Sequence, residues 1–242
     1  MATNGTAKQP RAKRRKDTLR YYNQSDWMRP TGLGAIIAAV VLFYFGWTYV
    51  SYILASLLMP GGLFLFFYAS VRHTSDADVE KERETLLRDF DSSVTVRRIM
   101  SMRFCVSLLT DGWIADGDAR YFRRTKSGNV ISDRFVRSHL FFTRDALLVC
   151  AREVSITEMD ADTGAGYTDR TMRIPFADIR SAGLDEERVR VTLTKGGKPA
   201  TMSTCTLVLT GAAGDLLRLP ARNDMDASAF CDAVNRRVKE GK

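Results

Sequence analysis

The run from Gly32 to Val71 contains no Asp, Glu, Lys, Arg or His, and no other feature restricts the fold of this chain so strongly. At ~1.5 Å per residue a continuous helix of that length reaches roughly 60 Å, about twice the thickness of a hydrocarbon core. Two crossings of ~17–20 residues joined by a tight turn use the run better. We therefore expect a transmembrane helical hairpin over residues 31–72, with arms near Leu33–Tyr49 and Tyr52–Val71 and a kink at Pro60-Gly61-Gly62. A re-entrant variant places the turn at Pro60-Gly61-Gly62 instead, which leaves one arm too short to span. A buried soluble hairpin is disfavoured, because the window is apolar on every face and rich in Phe, Tyr and Trp.

The flanks say which way the hairpin faces. Residues 1–30 carry Lys8, Arg11, Lys13, Arg14, Arg15, Lys16, Arg20 and Arg29 against Asp17 and Asp26. Most of the net charge of +8 therefore sits ahead of the hairpin. Such a segment has too little apolar surface to offset its ordering entropy and is expected to be disordered. Three readings of the Lys13, Arg14, Arg15, Lys16 cluster compete: a topogenic, lipid-attracting cluster, a nuclear-localisation or nucleic-acid patch, and a solvated tail. Proximity to the span favours the first. The basic region is too long and the apolar stretch too late for a cleavable signal peptide. Tyr21, Tyr22 and Trp27 suit an interfacial belt, and the positive-inside rule places the amino terminus in the cytosol. Two crossings then return the chain to the cytosol near Arg72, giving a multi-pass cell-membrane protein with both termini cytosolic.

Beyond the membrane the character changes. Ser75 and Asp78 form a capping-box-like start, and Val79, Leu86, Leu87, Phe90 and Val94 recur at helical spacing. This predicts an amphipathic linker helix within 75–104, whose stripe packs on the following domain or, alternatively, mediates self-association. From Val106 the pattern becomes β. Leu140-Phe141-Phe142 and Ala146 to Cys150 flank a turn at Thr143-Arg144-Asp145, while Val154 to Thr157 and Thr171 to Ile174 flank a loop of turn formers. Arg188 to Leu193 alternates, so its valines and leucine should face a core. Lys195-Gly196-Gly197-Lys198 turns into Cys205 to Leu209, and Gly211 to Gly214 into Leu216 to Leu219, which Pro220 ends. A last helix follows, capped by Asp224 or Asp226, with Ala227, Phe230, Cys231, Val234 and Val238 on one face.

The resulting fold class is an α+β membrane protein: the hairpin, then a small antiparallel β-barrel or sandwich over 105–242 closed by a carboxyl-terminal capping helix. Ser138-His-Leu-Phe-Phe-Thr143-Arg-Asp-Ala-Leu-Leu-Val149, then Ile174-Pro175-Phe176-Ala177-Asp178-Ile179, then paired strands and a final helix, resemble the bacterial pleckstrin-homology-like (PH-like) domains found beside membrane helices. The resemblance spans roughly 120–238. It implies a PH-like barrel without catalytic residues or, in most members, an assigned ligand.

Enzyme chemistry has little purchase in this sequence, and none is expected. Cys105, Cys150, Cys205 and Cys231 show no CxxC pairing and read as reduced structural thiols, while two histidines give no zinc pattern. Asp116-Gly-Asp118 and Asp160-Ala-Asp162-Thr-Gly164 lack the closing Glu of a calcium loop. Thr194 to Lys198 lacks P-loop spacing. His73 is expected to be interfacial and His139 structural. No cofactor, metal or nucleic acid is expected. The candidate binding patch is Arg120, Arg123, Arg124 and Lys126, basic residues on a turn that anionic headgroups would attract, against a plain solvated hairpin tip. The expected role is non-enzymatic tethering, in which the cytosolic domain binds a protein partner, a second copy or an anionic lipid surface. The alternative is an accessory subunit of a transporter or membrane enzyme complex, with Gly32, Gly34, Ala35, Ala38, Ala39, Gly46 and Ser51 permitting close helix contact.

Overall fold

The computed structural model describes residues 19–24, 27–46, 48–71, 74–100, 106–115, 119–158 and 166–240, with the side chains of 71 and 95–100 left aside. The chain divides into two compact units, Met1–Ser75 and Asp76–Lys242. The basic cluster Lys13, Arg14, Arg15, Lys16, both calcium-like loops, Cys105 and His73 lie outside the described residues.

The first unit is built on two long apolar helices, α1 (Met28–Phe45) and α2 (Tyr49–Val71). They pack on each other through small residues. A Cβ on Gly32 would come within 2.7 Å of the Phe66 backbone nitrogen and 2.9 Å of the Gly62 carbonyl, and a Cβ on Gly62 within 2.9 Å of the Gly32 carbonyl. Ala39 and Ala55 are buried as well. The arms differ from expectation by a few residues, because the turn centres on Gly46. Its N–H donates to the Leu42 carbonyl at 3.0 Å, and a Cβ there would lie 2.4 Å from that of Ser51. The second arm therefore begins at Tyr49, not Tyr52. The turn at Pro60-Gly61-Gly62 that the re-entrant variant needs is overturned: Pro60 lies inside α2 and the helix is continuous through the step. Gly62 serves the close crossing with α1, not a turn.

The second unit opens with α3 (Asp76–Met100), within the span expected for the linker helix. Three antiparallel sheets follow. β1 (Ser107–Trp113), β4 (Arg134–Phe142), β5 (Ala146–Ser155) and β6 (Tyr167–Pro175) form one in the order β1-β4-β5-β6. β2 (Phe122–Arg124) and β3 (Val130–Ser132) make a small hairpin. β7 (Ser181–Thr192), β8 (Pro199–Gly211) and β9 (Gly214–Ala221) make the third sheet in that order. Pro220 does not end its strand: it sits within β9, paired to Thr206, on the outer strand of the sheet, where a missing N–H costs no ladder bond.

One core joins the four- and three-stranded sheets to α4 (Met225–Glu240). Its centre is Leu140, Leu147, Val149, Leu207 and Leu209, all with no exposed surface. The expected apolar face of α4, Ala227 to Val238, is buried here. Asp224 rather than Asp226 caps the helix, its Oδ1 accepting the Ala227 N–H at 2.9 Å. Asn235 then locks α4 onto β7 by exchanging two hydrogen bonds with the Ala182 backbone. The alternation along Arg188 to Leu193 holds, with Val191 buried and Arg190 exposed.

β4 and β5 are buried on both faces, which alternation alone would not suggest. The reason is α3. Phe90 and Val94 of its apolar stripe pack with Phe141 and Cys150 on the outer face of the four-stranded sheet. The stripe is thus consumed within its own unit, as the first of the two expectations had it.

Candidate functional site

The expected basic patch is a built hairpin, and its foundation is a buried carboxylate. Asp133, with no exposed surface, accepts the backbone N–H groups of Arg120 and Tyr121 at 3.0 and 3.2 Å on Oδ1 and the Thr157 hydroxyl at 2.6 Å on Oδ2. Three neutral donors satisfy this anion, so removing it would leave them orphaned. Thr194 then ties β2 to the β7–β8 turn: its hydroxyl accepts the Phe122 N–H at 2.8 Å and its own N–H donates to the Phe122 carbonyl. Phe122 and Val130 pack with Val191, Ala200 and Met202 in a second small core. At the tip, Gly128 takes φ +91°, a conformation that glycine adopts without a Cβ penalty. The Lys126 N–H donates to Asp76 Oδ2 at 3.0 Å, holding the tip to the first turn of α3.

This geometry sorts the four cations. Arg120 is spoken for by Glu158 at 2.9 Å. Arg123 is half-buried. Arg124 and Lys126 are exposed and, among the described residues, form no ion pair, so they are what the tip presents. The Phe122–Thr194 pair also brings the β7–β8 turn alongside, adding Lys198 to the same end of the domain. Sequence spacing had kept that lysine apart by more than sixty positions.

A second polar constellation went unnoticed in the sequence. Arg137 and Arg152 on the outer face of the four-stranded sheet are 9% and 5% exposed. Arg137 meets Asp91 at 2.8 Å, Glu84 at 3.2 Å and Asp111 at 3.3 Å, and Arg222 closes on Asp111 at 2.7 Å. Burial opposes the Arg137 charge, but Asp91, Glu84 and Asp111 outweigh it and raise its pKa. Hydrogen bonding to Arg83, together with Arg137, holds the Glu84 carboxyl below the usual glutamate value. Arg152 grips Asp169 through two bonds of 2.6 and 2.7 Å, donates to the Leu86 carbonyl of α3, and lies 3.8 Å over the Tyr167 ring. His139 fits the same scheme, with Nε2 at 3.0 Å from Asp91 Oδ1 and its ring beside Phe90 and Phe141. Arg137 and His139 meet acids of α3 across the seam, while Arg152 pairs with Asp169 within the sheet and Arg222 with Asp111. The constellation joins α3 to the four-stranded sheet.

Cys150, Cys205 and Cys231 are free thiols. Burial pushes the Cys231 thiol up to about 11 and raises Cys205 as well, the latter with help from Glu186 and Asp185. Neither is an activated nucleophile. Among the described residues no His, Cys, Asp and Glu side chains gather to hold a metal ion. No protein-family model, curated protein or solved structure matches the chain.

Proposed function

We propose that this protein is a non-enzymatic membrane tether: α1 and α2 cross the bilayer, and a PH-like domain binds a protein partner or an anionic membrane surface. The observation that carries the reading is the outer surface of the helical hairpin. Its two apolar windows are only 11% buried, and Phe43, Phe45, Tyr49, Leu57, Phe64 and Phe67 stand more than half exposed. In water such a surface would be an aggregation site; in hydrocarbon it needs no cover. At ~1.5 Å per residue α1 is about 27 Å and α2 about 34 Å long, matching a bilayer core. The four-plus-three arrangement of antiparallel sheets, closed by one carboxyl-terminal helix, supports the PH-like assignment. Both ends of the chain then lie in the cytosol, and anchoring raises the local concentration of the domain at the membrane.

The exposed cations of the β2–β3 tip support an anionic surface as the ligand. Each such residue is worth ~1 kcal/mol near an anionic leaflet, so Arg124 and Lys126 together give about 2 kcal/mol, or roughly 30-fold in affinity. The test uses the full chain held in neutral-lipid nanodiscs and offered anionic vesicles. Capture should drop roughly 30-fold on joint neutralisation, Arg124→Gln with Lys126→Gln, drop further on joint reversal, Arg124→Glu with Lys126→Glu, and weaken with salt. Unchanged capture discards the lipid surface in favour of a protein ligand. Gly34 and Gly61, over which nothing lies within 4 Å, favour the accessory-subunit alternative to the extent that a partner's helix approaches there.

A further inference from the structure

The sandwich is plugged at one end and hollow at the other. At the plugged end Phe142, Phe176 and Phe230 meet edge to face, with ring centroids 5.2 and 5.4 Å apart, and α4 covers them. At the opposite end a cavity of about 430 Å³ separates the two larger sheets. That volume lies within the ~300–1,000 Å³ of small-molecule sites. Its floor is the core itself, made of Val136, Ala151, Leu217 and Leu219.

The cavity has one closed corner and one open corner. β1 and β9 close theirs: the Thr110 hydroxyl donates to the Pro220 carbonyl at 3.1 Å, and Gly112 lacks the Cβ that would strike the Pro220 ring at 2.9 Å. β6 and β7 follow each other in the chain and are the outer strands of their own sheets. No ladder joins them. Met172 of β6, paired with Val149 of the core, is 37% exposed, and it lines the cavity together with Val189 of β7.

The charges at the mouth are unevenly matched. Arg218 is held by Asp215 and Asp185 at 3.0 and 3.2 Å. Glu153 has Arg134 at 3.1 Å and Arg170 at 3.7 Å. Glu187 lines the mouth and, among the described residues, has no ion-pair partner; it continues the acidic run Asp185-Glu186-Glu187 of β7. Burial, with help from Glu186 and Asp185 of that run, raises the pKa of Cys205, which also lines the cavity. An apolar chain entering here would cover the floor, while an anionic head would meet an unneutralised carboxylate.

The geometry points to a ligand site between the sheets for a single-chain amphiphile with a cationic head, its tail on the Val136–Leu219 floor and its head at Glu187. This site stands independently of the tethering role and of the β2–β3 tip.

Cys205 is a built-in reporter of occupancy. The full chain in nanodiscs is alkylated at about pH 9, and modification of Cys205 is followed by mass spectrometry with decylamine or decanoate present. At ten times its dissociation constant decylamine should slow the reaction about tenfold by mass action, with little effect from decanoate. Val189→Trp, or Met172→Trp on the exposed wall should the first fail to fold, fills the cavity and abolishes protection. Glu187→Gln should bring the two probes level. Absence of protection by decylamine overturns the site. Equal protection by both probes in the unsubstituted chain, or protection that survives the tryptophan variants, overturns it as well, since the effect then comes from the bilayer.

Discussion

A single arginine decides how α3 is held. Arg137 answers three carboxylates on two elements and is nearly buried, so it acts as a bolt and not as a surface ion pair worth a fraction of a kcal/mol. Truncation strands Asp111, itself 7% exposed, beside Asp91 and Glu84 with Arg222 as partial compensation. Arg137→Ala should therefore cost about 3 kcal/mol, read from denaturant unfolding in mild detergent. Arg137→Met, which keeps the volume but leaves the same acids unpaired, should not rescue it; rescue would mean that packing and not charge does the holding. The network also fixes an acid limit. The Glu84 pKa is depressed in the folded state, so its contribution is fully present above the ordinary glutamate value of 4.5 and is lost as pH falls below it. Unfolding midpoints measured from pH 7 down to pH 3 should decline below about 4.5, and Glu84→Gln should flatten that decline. An identical slope in the variant would remove Glu84 from the account.

At the scale of elements, the hairpin depends on the absence of side chains. Where Gly32 and Gly62 cross, each helix backbone fills the space the other's Cβ would need. In the proposed bilayer setting this contact would supply van der Waals packing that the hydrophobic effect does not. Gly62→Leu should separate the helices or force a new register at a cost of about 1–3 kcal/mol of overpacking strain. Gly34→Leu, with nothing within 4 Å of its added Cβ, is the control. Cysteines placed at Ala39 and Ala55 should lose cross-linking efficiency in the first variant and keep it in the second. Elements of the β domain show the reverse economy. α3 covers one face of the four-stranded sheet with Phe90 and Val94, while the β2–β3 hairpin builds a separate small core against β7 and β8. Short strands such as β2 survive because Asp133 and Thr194 satisfy their backbone from outside the ladder.

For the molecule as a whole, the chain folds as two compact units, and the sequence spoke unequally about them. It determined the apolar hairpin, the linker helix and its buried stripe, the turns at Thr143, Lys195 and Gly211, and the inward face of the last helix. Each of these is a periodic or local signal, since a stretch without charge, a 3.6-residue repeat or a glycine-rich step is written in neighbouring positions. The tertiary structure alone decided where Pro60-Gly61-Gly62 and Pro220 would sit, that Arg137 and Arg152 would be buried under a helix instead of facing water, and that only Arg124 and Lys126 of the expected patch would stand exposed without an ion pair. It alone revealed the hollow between the sheets. These outcomes depend on groups dozens of residues apart meeting at about 3 Å, and a charged side chain reads the same in one dimension whether it ends at a carboxylate or in solvent.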